Sequence, residues 1–270
     1  EAEAGGEYKN MTIFFSDITD FTATSEKIDA KSLTLYLSEY FEMMYDVIEK
    51  HNGTIDKFIG DAVMAFWNAP EDNNNHPHDA CKAAIECQQK IAELNNKWKS
   101  DDIDIQFNTR IGISTGKVIV GNIGANKRIN YTIIGDTVNL TSRIEQINKQ
   151  YGTSILVGEE TYGQIKSKFN MRIIDKVAVK GKENAIFIYE LISDVSQKAT
   201  ESEKKIIDNY KIAFDHYQKQ DFESAIRIII DKKMGLTNDD TSKLLMERCN
   251  SYLQNNPGKN WDGAFMMKSK

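Results

Sequence analysis

The order of apolar patterns along the chain predicts an α+β fold, with a ferredoxin-like βαββαβ core, helices on one face, and a C-terminal helical extension. Three observations carry this. Short β-branched runs and longer stretches of helical spacing follow one another as strand, helix, two strands, helix, strand. Gly60-Asp61 separates two apolar runs so narrowly that a hairpin is the natural connection. After about Ser193 the pattern becomes polar and helical.

The elements follow in order. Met11 to Phe15 is an apolar run that reads as a buried strand ending at Asp17. Leu33, Leu37, Tyr40, Phe41, Met44 and Ile48 recur at helical spacing, and Asn52-Gly53 closes that helix. Thr54 to Ile59 and Ala62 to Trp67 form the hairpin. A second helix is expected from about His78 to Trp98, with Ala80, Ala84, Ile85, Ile91 and Leu94 on its apolar face. Ile105 to Gly112 and Lys117 to Val120 read as strands broken by Ser114-Thr115-Gly116, and Gly121 to Gly135 as an extended arm. Val138 to Ile147 reads as a helix with Asp136 at its N-cap, and Ile155 to Val157 as a short strand. Ile173 to Val179 and Ile186 to Leu191 close the domain around Lys180-Gly181-Lys182. Beyond it, Tyr210, Ala213, Tyr217, Phe222 and Ala225, with Asp221 at a turn, read either as one tetratricopeptide-like repeat or as a plain helical hairpin. One such unit cannot bury its own face, so it is expected to pack on a neighbour.

Composition bounds the function. The chain has 270 residues, 40% apolar and 27% charged, enough material for a sizeable core. A net charge of −6 argues against a general nucleic-acid or anionic-membrane binder, yet leaves room for a small polyanion met by a few cations. Cys81, Cys87 and Cys249 form no CxxC pair, which fits a reducing, cytoplasmic setting. No stretch approaches the roughly 18 apolar residues of a membrane span. Glu1-Ala2-Glu3-Ala4 resembles a yeast secretion-leader remnant and Gly5-Gly6 a cloning join, so residues 1–6 are set aside and the chain is expected to be a piece of a longer protein.

Asp17 closes a strand and Asp61 sits in the hairpin turn, so both carboxylates can converge at one sheet edge. With a backbone carbonyl such as that of Ile18, they would make a hard oxygen site for Mg²⁺ or Mn²⁺. As isolated residues they read as turn formers, the commoner role of Asp at such places. Asn139 and Arg143 lie four apart on one helical face and suit a ribose hydroxyl and a phosphate oxygen, or else form a surface polar pair. Lys180, between two strands, and Arg110, inside an apolar one, add cations.

Taken together these segments resemble the catalytic domain of class III nucleotidyl cyclases, the adenylate and guanylate cyclases. Phe15-Ser16-Asp17-Ile18-Thr19-Asp20-Phe21-Thr22 resembles that family's first metal motif, and Asp56 through Ala65 the second. Arg110 through Gly116, Tyr131 through Arg143 and Val179-Lys180-Gly181 match further motifs, all in order between Tyr8 and Leu191. The resemblance implies a catalytic domain over 7–193 and an extension over 194–270. It implies that Asp17 and Asp61, with the Ile18 carbonyl, bind two divalent metal ions, Mg²⁺ or Mn²⁺. It further implies that Lys57 and Thr132 read the purine, Asn139 orients the ribose, Arg143 stabilises the α-phosphate in the transition state, and Lys180 and Arg110 hold the outer phosphates. In this family the site is shared between subunits. One gives the metal ligands and Arg110; the other gives Lys57, Thr132, Asn139, Arg143 and Lys180. Both sets are present here, which implies a homodimer with two equivalent sites.

The implied reaction is attack of the ATP 3′-hydroxyl on the α-phosphorus, with pyrophosphate leaving. Lys57 is donor-only and suits adenine N1, while the Thr132 hydroxyl can accept from the exocyclic amine. Guanylate members typically carry Glu at the Lys57 position, so ATP is expected. Thr at 132 departs from the commoner Asp and resembles a bicarbonate-responsive subgroup, which makes bicarbonate a candidate activator. Two alternatives stand beside this: a guanylate or relaxed-specificity cyclase, and a nucleotide-binding regulatory module without catalysis.

Overall fold

The computed structural model describes residues 5–125, 128–178 and 185–266. In chain order the elements are β1 (Gly5–Ile18), α1 (Phe21–Ser25), α2 (Ala30–Lys50), β2 (Thr54–Ile59), β3 (Ala62–Trp67), α3 (His76–Ser100), β4 (Thr109–Ala125), β5 (Arg128–Ile134) and α4 (Asp136–Tyr151). There follow β6 (Ile155–Gly158), α5 (Glu159–Ile165), β7 (Phe169–Ala178), β8 (Ile186–Asp194), α6 (Glu201–Gln218), α7 (Phe222–Ile230), α8 (Asp240–Gln254) and β9 (Phe265–Met266). The sheet runs β2-β3-β1-β4-β6-β8-β7-β9, with β5 paired to β4. Its first four strands are antiparallel neighbours in the order 2-3-1-4, as the βαββαβ reading requires.

Alternation along β1 builds two layers. Phe14 faces α2 and α3 together with Tyr40, Met44, Ala84 and Trp67. Met11 and Ile13 face the other way, against Met64, Phe66, Val118 and Ile133. Thus the two core helices share one face as expected. On the opposite face lies the arm, formed by the end of β4 and by β5.

The helix α4 also packs on that opposite face. Its contact with β4 is made at Gly112, where a Cβ would lie 2.4 Å from the Glu145 backbone nitrogen and 2.6 Å from the Thr141 carbonyl oxygen. Helix backbone therefore rests directly on strand backbone. Asn148 Nδ2 fastens the same helix by donating to the Ile111 carbonyl at 2.9 Å.

Four local expectations need revision. Strand β4 is unbroken through Ser114-Thr115-Gly116. Thr115 is buried there with its hydroxyl satisfied by others: Thr115 Oγ1 lies 2.8 Å from Thr12 Oγ1 and 3.0 Å from Thr161 Oγ1, whereas the buried Ser114 Oγ has no hydrogen-bond partner among the described residues. Gly5 and Gly6 are part of β1, paired with Asn122 and Gly121. A Cβ on Gly121 would stand 2.1 Å from the Gly5 carbonyl oxygen, so the two chains meet there without room for a side chain. Asp136 is the first residue of α4, and Gly135 holds the cap position. Finally, α3 begins at His76, two residues earlier than its apolar face suggested.

The extension packs on the outer strands. Tyr210, Phe214, Tyr217, Phe222, Leu245 and Cys249 form its core, which closes on Ile173 of β7 and Phe187 of β8. Asp221 caps α7 by accepting from the Ser224 N–H, as its turn position suggested. Two buried polar groups tie the extension down. Arg172 of β7 donates to Glu190 at 2.8 Å and to Asp239 at 2.9 Å. Arg248 of α8 donates to Asp175 and, at 3.0 Å, to the Tyr151 hydroxyl at the end of α4. Such pairs are costly to break from one side, because the remaining charge stays buried. Cys81, Cys87 and Cys249 are free and buried, and burial pushes their thiols up, which leaves them unreactive. Among the described residues no helix is long and apolar enough to cross a membrane.

Candidate active site

Strand register brings the carboxylates together. Asp17 is the penultimate residue of β1 and stands directly across from Arg110 on β4. Ser16 pairs with Val63, so the β2–β3 turn lies beside the end of β1. Gly60 takes the left-handed conformation there, with φ 63°, and Asp61 follows it. One Asp61 carboxylate oxygen accepts from the Ile18 N–H at 3.1 Å. Burial, and then the adjacent Asp17 carboxylate, push the Asp61 carboxyl up to about 6.

Arg110 braces this pair from the α4 side. Its Nη2 donates to Asp17 at 3.2 Å and its Nε to Glu145 at 3.1 Å. Only 13% of the Arg110 side chain is exposed, so the guanidinium lies beneath α4 and not on an open face. Glu145 is pushed up to about 7, chiefly by burial, with Arg110 pulling against that rise. Two crowded carboxylates and one buried acid make this corner rich in negative charge. A cation would relieve the repulsion that raises Asp61, and two carboxylates plus a peptide carbonyl are the hard donors that Mg²⁺ or Mn²⁺ prefers. Among the described residues no three His, Cys, Asp or Glu side chains gather as a closed metal cage. Two carboxylates and one carbonyl fill only part of the coordination shell of such an ion, which leaves positions for water or phosphate.

A second constellation forms where β2 meets β5. Lys57 Nζ donates to Thr132 Oγ1 at 3.4 Å, and Thr132 Oγ1 donates to Asp56 at 2.6 Å. Asp56 also pairs with Lys57 Nζ at 3.0 Å. The cause is a β-bulge: Ile55 pairs with Ala65 and Lys57 with Met64, leaving Asp56 as the extra residue. In a regular strand adjacent side chains point to opposite faces. The bulge lets Asp56 and Lys57 both reach Thr132. Phe58 and Ile59 of β2 and Tyr131 and Ile134 of β5 are exposed, the Phe58 ring lying 4.3 Å from that of Phe41 on α2.

Asn139 and Arg143 ride on α4, Asn139 exposed and Arg143 half-buried, while Glu145 of the same helix turns inward. Lys180 lies outside the described residues. Two residues of this region are given no role of their own by the sequence. Asp56 carries no signal of its own, because nothing in the strand pattern announces a bulge. Glu145 was detectable in principle, as an acid next to Ile144 on the buried side of α4.

Residues 4–193 match the family model described as "Adenylate and Guanylate cyclase catalytic domain". The chain is 38% identical over 187 residues to "Adenylate cyclase 1" of Rhizobium meliloti, covering 69% of this chain and 28% of that protein. It is 34% identical over 245 residues to "Adenylate cyclase, terminal-differentiation specific" of Dictyostelium discoideum, covering 89% of this chain and 11% of that protein. It thus spans well under half the length of either curated relative. Among solved structures, the adenylyl cyclase CyaB from P. aeruginosa matches with a TM-score of 0.66 and 37% identity, covering 70% of this chain and 97% of that one. With the family model covering most of the chain and the fold agreeing, the chain belongs to the adenylate and guanylate cyclase catalytic domain family.

Proposed function

We propose that two copies of this chain form a symmetric homodimer that converts ATP to 3′,5′-cyclic AMP and pyrophosphate. The observation that carries the choice of ATP is the Lys57–Thr132 pair. A donor-only ammonium next to a hydroxyl complements adenine, which offers an acceptor at N1 and a donor at the exocyclic amine. Guanine presents the reverse order at that edge.

Asp17 and Asp61, with the Ile18 carbonyl, would hold two divalent ions, which when bound acidify the 3′-hydroxyl and neutralise the phosphates. Arg110 keeps Asp17 oriented by their cross-strand contact. From the other subunit, Asn139 orients the ribose, and Arg143 meets charge developing on the α-phosphate. Lys180 joins it at the outer phosphates. The new bond is from the 3′-oxygen to the α-phosphorus, the bond to pyrophosphate breaks, and the hydroxyl proton leaves to solvent or Asp17. Exposed Phe58 and Ile59 on β2 and Tyr131 and Ile134 on β5 support assembly, since large apolar side chains left in water suit a second copy.

The test is conversion of ATP and GTP with Mn²⁺ across a range of protein concentrations. Cyclic AMP should form in preference to cyclic GMP, with activity rising faster than linearly until the dimer saturates. Absence of product from either nucleotide at every concentration would sink the reading. A bicarbonate series at fixed pH in the same assay tests the activator suggested by Thr132, and a flat response removes it.

A further inference from the structure

We infer that Asp56 is a specificity-determining positioning residue, which fixes the Thr132 hydroxyl as an acceptor and so sets adenine over guanine. The inference rests on the proposed reading that Lys57 and Thr132 hold the base. Asp56 has two carboxylate oxygens, and each has a partner: Oδ1 lies 3.0 Å from Lys57 Nζ, and Oδ2 accepts from Thr132 Oγ1 at 2.6 Å. Its side chain is 1% exposed, so water does not compete for those oxygens.

A threonine hydroxyl alone is ambivalent, with one proton and two lone pairs. Left free to rotate, it would donate to guanine O6 as readily as it accepts from the adenine amine. Committing its single proton to Asp56 removes that choice. Lys57 keeps a proton for the base, because its three donors exceed the two contacts it makes here. The pair then presents donor beside acceptor in one fixed order. A carboxylate can accept from both neighbours at once. Asn in its place cannot, since its single carbonyl is claimed by the Lys57 ammonium and its amide donates to Thr132, turning the hydroxyl proton toward the base.

The experiment compares the unaltered chain with Asp56→Asn, measuring kcat and KM for ATP and GTP and calorimetric binding of 3′-deoxy-ATP and 3′-deoxy-GTP, which cannot cyclise. Asp56→Asn should lower kcat/KM for ATP by about ten- to one-hundredfold, mostly through KM, the scale of a mismatched buried hydrogen bond. The GTP value should hold or rise, so the preference collapses. Asp56→Ser, which frees the hydroxyl without adding bulk, should collapse it as well if Asp56→Asn does not fold. In a Thr132→Ala background, Asp56→Asn should have no further effect on preference. Equal loss for both nucleotides, or an unchanged preference, overturns the inference. So does an unaltered chain that binds the two deoxy-nucleotides equally or not at all. Selective binding of 3′-deoxy-ATP without turnover of either substrate would instead sink the cyclase reading and leave the role of Asp56 standing.

Discussion

Replacing Asp61 with Asn is expected to cut cyclic AMP formation by at least about a thousandfold, the scale of losing metal stabilisation of transition-state charge. The same change should make the metal-free chain more stable at neutral pH. Asp61 is raised from 3.8 to about 6 by burial and by Asp17, so its folded form binds a proton more tightly than the unfolded chain does. That contribution is fully present below the unfolded value and is lost as pH rises toward the folded one. An uncharged Asn escapes the loss while keeping an oxygen for the Ile18 N–H. Urea midpoints without metal should therefore diverge in favour of Asp61→Asn between about pH 4 and pH 7, and converge below that window. The midpoint gain on adding Mn²⁺ should shrink in the variant. Near-normal turnover, or an undiminished metal-induced gain, would remove Asp61 from the metal site.

Arg143→Ala should lower kcat by about a hundred- to a thousandfold with little change in KM, the pattern of a charge felt mainly in the transition state. Its position depends on α4, which rests backbone-on-backbone at Gly112 and is pinned through Asn148. A helix held that closely can fix a guanidinium relative to the sheet, and a small displacement would cost much of the rate. Lys57→Ala should behave differently, acting on KM and on the choice of base. Stopped-assay kinetics with ATP separates the two patterns. A rise in KM alone for Arg143→Ala would show that it binds the ground state and has no special part in the chemical step.

Much of this fold is written in its local pattern. The period-2 runs of β1 and β3, the helical spacing of α2 and α3, and the Gly60-Asp61 turn each announce themselves, and their order implies the 2-3-1-4 sheet. What stayed hidden depends on partners distant in sequence. Thr115 looks like part of a strand break until Thr12 and Thr161 supply its hydrogen bonds. The placement of α4 on the face opposite α2 and α3 follows from Gly112, whose lack of a side chain matters only once a helix lies over it. The candidate site divides in the same way. Asp17, Asp61, Lys57, Thr132, Asn139 and Arg143 were legible as ordered motifs. The role of Asp56 and the partner of Glu145 were not, because a bulge and a buried ion pair are properties of the assembled sheet.

In the proposed dimer each active site is built from two copies of the chain, with the metal ligands on one and Arg143 on the other. Mixing Asp61→Asn with Arg143→Ala separates a shared site from a single-chain one. Each variant alone should be nearly inactive. In a mixed dimer, one site inherits both lesions and the other inherits neither. Equal mixing with free exchange should restore about a quarter of the unaltered activity, since half the dimers are mixed and each carries one intact site. No recovery, although mixed dimers are shown to form, would mean that the metal ligands and Arg143 serve the same site from the same chain.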